Sequence, residues 1–103
     1  MQGIGGALYE HCVYDEAGQL INGNMMDYLV PMAVEMPDIE VGHVVTPTAD
    51  SELGAEGAGE AGTAGAPACI MNAINDALRP LGAAPLVAMP FTPERILRAL
   101  GKL

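Results

Sequence analysis

Ser51–Ala68 reads S-E-L-G-A-E-G-A-G-E-A-G-T-A-G-A-P-A, and eleven of these eighteen residues are Gly or Ala. Of its three carboxylates, Glu52, Glu56 and Glu60, the last two stand among the glycines, and the run leads directly into the strongest helical pattern of the chain, Pro67 to Arg79. A flexible Gly/Ala linker with solvated acids would have this composition. So would a tight glycine loop that carries a backbone and one carboxylate close to a ligand, at the start of a helix. The surrounding sequence has to separate the two.

Downstream, Thr63 is a candidate N-cap and Pro67 suits a first helical turn. Ile70, Ala73, Ile74, Ala77 and Leu78 share one face of the ensuing helix, with Asn72, Asn75, Asp76 and Arg79 on the other. Pro80 and Gly82 stop it. Leu86–Met89 is a short apolar strand or extended segment. Thr92-Pro93-Glu94 then starts a terminal helix whose apolar side takes Ile96, Leu97, Leu100 and Leu103.

Upstream, Ile39–Val45 alternates as a strand, with Gly42 a candidate bulge and Thr46-Pro47-Thr48 its end. Pro31 and Pro37 exclude a regular helix between Leu29 and Asp38. Cys12–Asp15 and Gln19–Ile21, joined through Glu16-Ala17-Gly18, form a β-hairpin pattern, bent off at Asn22-Gly23-Asn24. Gln2–His11 places Ile4, Leu8 and His11 on one helical face. Its three glycines (Gly3, Gly5 and Gly6) each weaken an isolated helix, which points to close packing against another backbone. The expected class is α+β in a single unit, residues 1–103: glycine-rich helix, hairpin, further strand, glycine loop, long helix and C-terminal helix.

Half of the 103 residues are apolar, yet there is one Phe and no Trp. Ala, Leu, Ile, Val and seven Met must build any core, so such a chain folds alone only marginally or docks on something larger. The net charge is −9, and all four bases (Arg79, Arg95, Arg98, Lys102) lie in the last quarter. A nucleic-acid partner would need a basic footprint, and so would an anionic membrane surface. Pro and acids interrupt every apolar run well before a membrane span, and no secretory signal pattern opens the chain. Cys12 and Cys69 have no metal or disulfide spacing, which suggests a reducing, cytoplasmic setting; Cys69 falls on the apolar side of its helix.

Gly57–Gly62 satisfies G-x-G-x-x-G, but the nearest strand pattern ends at Val45 and no second strand with a terminal acid follows, so a dinucleotide fingerprint is rejected. His11 and His43 lack partners at metal-ligand spacing. Asp38–Glu40 lacks the alternating oxygen ligands of a calcium loop. Met25, Met26, Met32 and Met36 suit core or interface filler. Glu60 at a helix start is either a charge complementing the helix dipole or, if its proton affinity is raised, a general base.

Five motifs in order carry a resemblance: Q-G-I-G-G-A-L-Y-E from Gln2, M-D-Y-L-V-P from Met26, S-E-L-G-A-E-G-A-G-E-A-G from Ser51, N-A-I-N-D-A-L from Asn72 and P-F-T-P-E-R-I-L-R-A-L from Pro90. Together they resemble the C-terminal end of the molybdenum-binding large subunit in the xanthine dehydrogenase, aldehyde oxidase and carbon monoxide dehydrogenase family. The resemblance implies a molybdopterin cofactor and oxidative hydroxylation of an aldehyde, N-heterocycle or similar small molecule, with oxygen from water. It implies Glu60 as the general base and Gly57, Ala58 and Gly59 as backbone close to the cofactor, with no metal ligand from this chain. Electrons would leave through iron–sulfur clusters and FAD on partner subunits or domains. Many members have Lys where this chain has Glu56. The resemblance also implies that the upstream cofactor-binding segments and pocket walls lie outside this sequence, so that the chain alone would bind no cofactor and be inactive. The alternative of another class is a non-catalytic acidic module that docks on a partner.

Overall fold

The computed structural model describes residues 1–103. Three α-helices are present: α1 Gln2–Leu8, α2 Ala61–Leu78 and α3 Pro93–Ala99. Short 3-10 turns occupy Ala33–Glu35 and Arg79–Leu81. Only α1 and α2 pack extensively on each other.

Glycine makes that packing possible. A Cβ built on Gly3 would sit 2.5 Å from the Cβ of Ala66, and one on Gly5 would sit 2.5 Å from Glu10 Oε1 and 3.0 Å from the Pro31 ring. Gly3, Gly5 and Ala7 are buried, so the inner face of α1 is its small-residue face. Ile4 and Leu8 are half-buried and His11 is exposed beyond the helix end. Phe91 closes the other side: it is 2% exposed and its N–H donates to Ala7 O at 2.7 Å. Ala7 and Phe91 are the only fully buried hydrophobic residues.

The long helix begins at Ala61, six positions earlier than Pro67, and Pro67 lies inside it. Pro67 removes one interior N–H, which disfavours a helix through it. The small residues ahead of it, Gly62 and Ala66, are where α1 lies closest, and this packing outweighs the local preference. Thr63 is therefore not a cap. The stop is as expected: Gly82 takes φ 74° after Pro80. Thr92 caps α3, its hydroxyl accepting from Arg95 N at 3.4 Å, with Pro93 in the first turn. Leu97 and Leu103 stay exposed, because no second layer covers that side of α3.

The strand content differs from expectation. The hairpin reduces to a single antiparallel bridge, Tyr14 with Leu20. Its turn is as read: Asp15 Oδ1 accepts from Ala17 N and Gln19 N, and Gly18 takes φ 78°. Beyond the bridge, the side-chain amide of Asn22 takes over the pairing, accepting from Val13 N at 2.8 Å and donating to His11 O at 2.6 Å. Ile39–Val45 forms no strand, and Leu86–Met89 forms none either. A strand needs a partner for its N–H and C=O groups, and this chain supplies none.

The radius of gyration is 17.6 Å, against about 13 Å for a compact domain of some 100 residues. Met25, Met26, Val34, Val41, Val44, Val45, Leu53 and Val87 are all more than three-quarters exposed. Met32 is also exposed and Met36 half-buried, so this methionine cluster is not core of the chain. Cys12 and Cys69 are exposed free thiols; Cys69 is on the uncovered side of α2, not its packed side.

Candidate functional site

The glycine stretch is an ordered approach to a helix N-terminus. Thr48 N donates to Gly54 O and Gly54 N to Ser51 O, while Ser51 Oγ accepts from Ala55 N at 2.8 Å. Gly54, with φ 66°, makes the turn. Gly57 and Gly59 have no left-handed φ, and a Cβ on either would meet nothing within 4 Å in this chain. Ala61 N donates to Ala58 O at 3.2 Å and Thr63 N to Glu60 O at 2.9 Å as the helix begins.

Glu60 is the N-cap residue of α2, with φ −112° and ψ 13°, and its side chain makes no capping hydrogen bond. Its carboxylate is thus free to face outward. One side chain meets it: Gln2 at the start of α1, whose Nε2 donates to Glu60 Oε1 at 3.4 Å. Thr63 Oγ1 donates to Gln2 Oε1 at 3.5 Å, which orients the amide with its nitrogen toward Glu60. The close approach at Gly3 and Ala66 is what carries Gln2 there. Glu56 makes no such contact and is exposed. Gln2 escaped the sequence reading because its partner is 58 positions away. The signal available was a polar residue directly before a glycine that demands close packing.

A second link ties α1 to the following loop. Tyr28 Oη donates to Glu10 Oε2 at 2.7 Å. Donation to Glu10, followed by partial desolvation and the negative charge of Glu10, pushes the Tyr28 hydroxyl up to about 12 from an ordinary value of 10.0. Asn75, assigned to the polar face of α2 from sequence, does a structural task. Its amide donates to Leu86 O and accepts from Leu86 N, both at 2.8 Å. The adjoining hollow, about 300 Å³, is lined by Asn72, Asp76, Arg79 and Pro85 among others, and does not include Glu60.

No three His, Cys, Asp or Glu side chains gather to hold a metal ion. The donor set is a single open carboxylate with an amide beside it, which suits a group that brings its metal already ligated. No helix is long and apolar enough to cross a membrane.

The chain and its fold have counterparts among known proteins. Residues 1–37 match the family model described as a molybdopterin cofactor-binding domain. The nicotine 6-hydroxylase large subunit of Paenarthrobacter nicotinovorans is 42% identical over 96% of this chain and 12% of its own length. The carbon monoxide dehydrogenase large chain of Hydrogenophaga pseudoflava is 33% identical over 96% of this chain and 12% of its own. The crystal structure of quinoline 2-oxidoreductase from Pseudomonas putida 86 superposes with a TM-score of 0.85 at 40% identity, covering 98% of this chain and 13% of that one. The chain belongs to the molybdenum-binding large-subunit family of xanthine dehydrogenase and carbon monoxide dehydrogenase type. It spans roughly an eighth of the length of these relatives.

Proposed function

We propose that residues 1–103 form the C-terminal part of a molybdopterin-binding domain and supply Glu60 as general base to a molybdenum hydroxylase. The observation that carries this is the outward carboxylate of Glu60 at the start of α2, held by Gln2 at 3.4 Å at the end of the glycine approach. The likeness to hydroxylase and dehydrogenase large subunits supports the reaction class.

The substrate would be an aldehyde, N-heterocycle or similar small molecule. Its C–H bond is replaced by C–OH, water supplies the oxygen, and two protons and two electrons are released. The molybdenum cofactor, when bound, activates the water-derived oxygen and accepts the electron pair. Glu60 takes up a proton as the oxygen becomes a nucleophile. Gly57, Ala58 and Gly59 offer backbone without bulky side chains beside it, so a large group can approach. Gln2 fixes the direction of the carboxylate through its amide N–H. The electrons pass on to iron–sulfur clusters and FAD in partner subunits. The remainder of the molybdenum subunit supplies the cofactor grip and pocket walls, and the assembly is cytoplasmic, with no nucleic-acid or membrane partner.

The test compares Glu60→Gln with Glu56→Gln in the assembled enzyme, with molybdenum content measured in both. Glu60→Gln keeps shape but loses the proton acceptor, and kcat/KM falls about 10²- to 10⁴-fold. Glu56→Gln changes it little. A fully active Glu60→Gln enzyme would leave the stretch as scaffold and favour the non-catalytic docking module.

A further inference from the structure

From Pro37 to Pro47 every residue is exposed, and none makes a backbone or side-chain hydrogen bond to the rest of the chain. Such a run of exposed, unpaired donors and acceptors is a ready template for pairing with another strand. The side chains are those of a strand: Ile39, Val41, His43 and Val45 fall on one face by alternation, and Ile39, Val41, Val44 and Val45 are β-branched. Val44 is 97% exposed and Val45 82%. Pro37 and Pro47 bracket the segment and none lies within it, so every N–H from Asp38 to Thr46 is available.

We infer that Asp38–Thr46 is an added β-strand, which pairs along a sheet edge in the remainder of the molybdenum-binding large subunit. This rests on the reading that the chain works as part of that larger subunit. The occupant follows from the dimensions of the relatives. They align with 96% of this chain yet are about eight times longer. In quinoline 2-oxidoreductase the same backbone course, over 98% of this chain, is one part of a far larger chain. The polypeptide that pairs with the segment therefore lies in the seven-eighths that this chain does not span. A second copy is a poor occupant. Each copy brings Asp38 and Glu40 with no Lys or Arg before Arg79, at a net charge of −9. Like charges facing across a strand pair destabilise it. Main-chain pairing would supply the affinity of this addition, and the Ile39–Val41–Val45 face its register.

The experiment is amide hydrogen exchange on the chain alone and on the chain assembled with the remainder of the large subunit. Alone, amides 38–46 exchange at the rate of unstructured peptide. In the assembly at least the alternate ones slow by 100-fold or more, since an edge strand directs every second N–H to its neighbour. Val44→Pro and Val45→Pro form the mutational arm. Adjacent positions differ in direction, so one of the two deletes an inter-strand N–H. That variant weakens assembly at least tenfold, while Val44→Ala and Val45→Ala retain it. None of these side chains supports the isolated fold, so its helical circular dichroism stays unchanged and the variants remain interpretable. Equal exchange in both states, or unaltered assembly by both proline variants, overturns the inference, as does protection in the isolated chain that rises with its own concentration, which would point to self-pairing. The exchange readout is independent of turnover: an active Glu60→Gln enzyme with protected 38–46 amides would sink the catalytic reading alone.

Discussion

Gln2 and Glu60 meet at the first turns of α1 and α2, amide nitrogen to carboxylate oxygen at 3.4 Å, across 58 positions of sequence. Two separate elements must be in place for the contact to exist. If Glu60 is the proton acceptor, Gln2 is its positioning residue. In the assembled enzyme Gln2→Met, close in shape but without the donor, lowers kcat by a few-fold to about tenfold, the scale of one ordinary net hydrogen bond of about 0.5–1.5 kcal/mol, since the 3.4 Å contact is long and exposed. KM and molybdenum content stay unchanged. In a Glu60→Gln background the same substitution adds nothing further, because its effect runs through the lost carboxylate. A drop in KM-dependent binding alone, or full additivity, contradicts the assignment.

The same geometry makes Gly3 and Gly6 unequal. A Cβ at Gly3 would meet Ala66 at 2.5 Å, whereas one at Gly6 would meet nothing within 4 Å. Gly3→Ala therefore forces α1 away from α2, at about 1–3 kcal/mol for an overpacked contact, and draws Gln2 off Glu60. Gly6→Ala gains about 0.5–1 kcal/mol of helix stability relative to glycine. Thermal denaturation of the two variants should shift in opposite directions, and only Gly3→Ala should slow turnover. If both destabilise alike, the packing face of α1 has been misassigned.

Much of this was legible from local chemistry. The glycines of α1 announced a close backbone, Asp15 and Gly18 a turn, Thr92-Pro93 a helix start, and Pro80 with Gly82 a stop. What was hidden depended on partners distant in sequence. Pro67 argued for a later start to α2 than the contact at Gly3 and Ala66 imposes. Alternation in Ile39–Val45 signalled a strand, but alternation cannot tell whether the neighbouring strand lies in the same chain. Asn22 and Asn75 were read as a bend and a polar-face residue. Both in fact present side-chain amides to backbone groups where a strand would otherwise continue. At the proposed site, Glu60 stands out as a candidate only through the motif around it, and its contact with Gln2 only once both helices are placed.

Asn75 gives a prediction of its own. Its two 2.8 Å bonds to Leu86 anchor the stretch that runs on to Phe91 and the buried contact with Ala7. Asn75→Ala leaves the part-buried N–H and C=O of Leu86 unpaired and costs about 1–3 kcal/mol. Asn75→Asp keeps the acceptor for Leu86 N but faces Leu86 O with a carboxylate, so it rescues little at neutral pH. The amide of Leu86 should lose exchange protection in both variants. Retained protection in Asn75→Ala would mean that packing at Phe91 holds the segment unaided.

Tyr28 supplies the pH test. Its hydroxyl donates to Glu10 Oε2 at 2.7 Å, and this bond, with partial desolvation and the Glu10 charge, raises its pKa to about 12. The protonated form is the one that holds the loop around Met26–Pro31 to the end of α1. A group whose folded pKa lies above its unfolded value stabilises fully below the unfolded value, and that contribution is lost as pH rises through the folded one. The Tyr28 contribution is therefore complete up to about pH 9, shrinks from pH 10 and is gone near pH 12. In ultraviolet titration, the part of the tyrosinate signal that develops latest belongs to Tyr28 and disappears in Tyr28→Phe. Stability of the wild type should fall between pH 10 and 12 more steeply than that of Tyr28→Phe, with the two curves converging at the top of the range. Glu10→Gln keeps an acceptor but removes the charge, and should return part of the late titration toward the ordinary tyrosine range. If Tyr28→Phe leaves both the late ultraviolet component and the alkaline stability slope unaltered, the Tyr28–Glu10 bond does not hold α1 to its loop in solution.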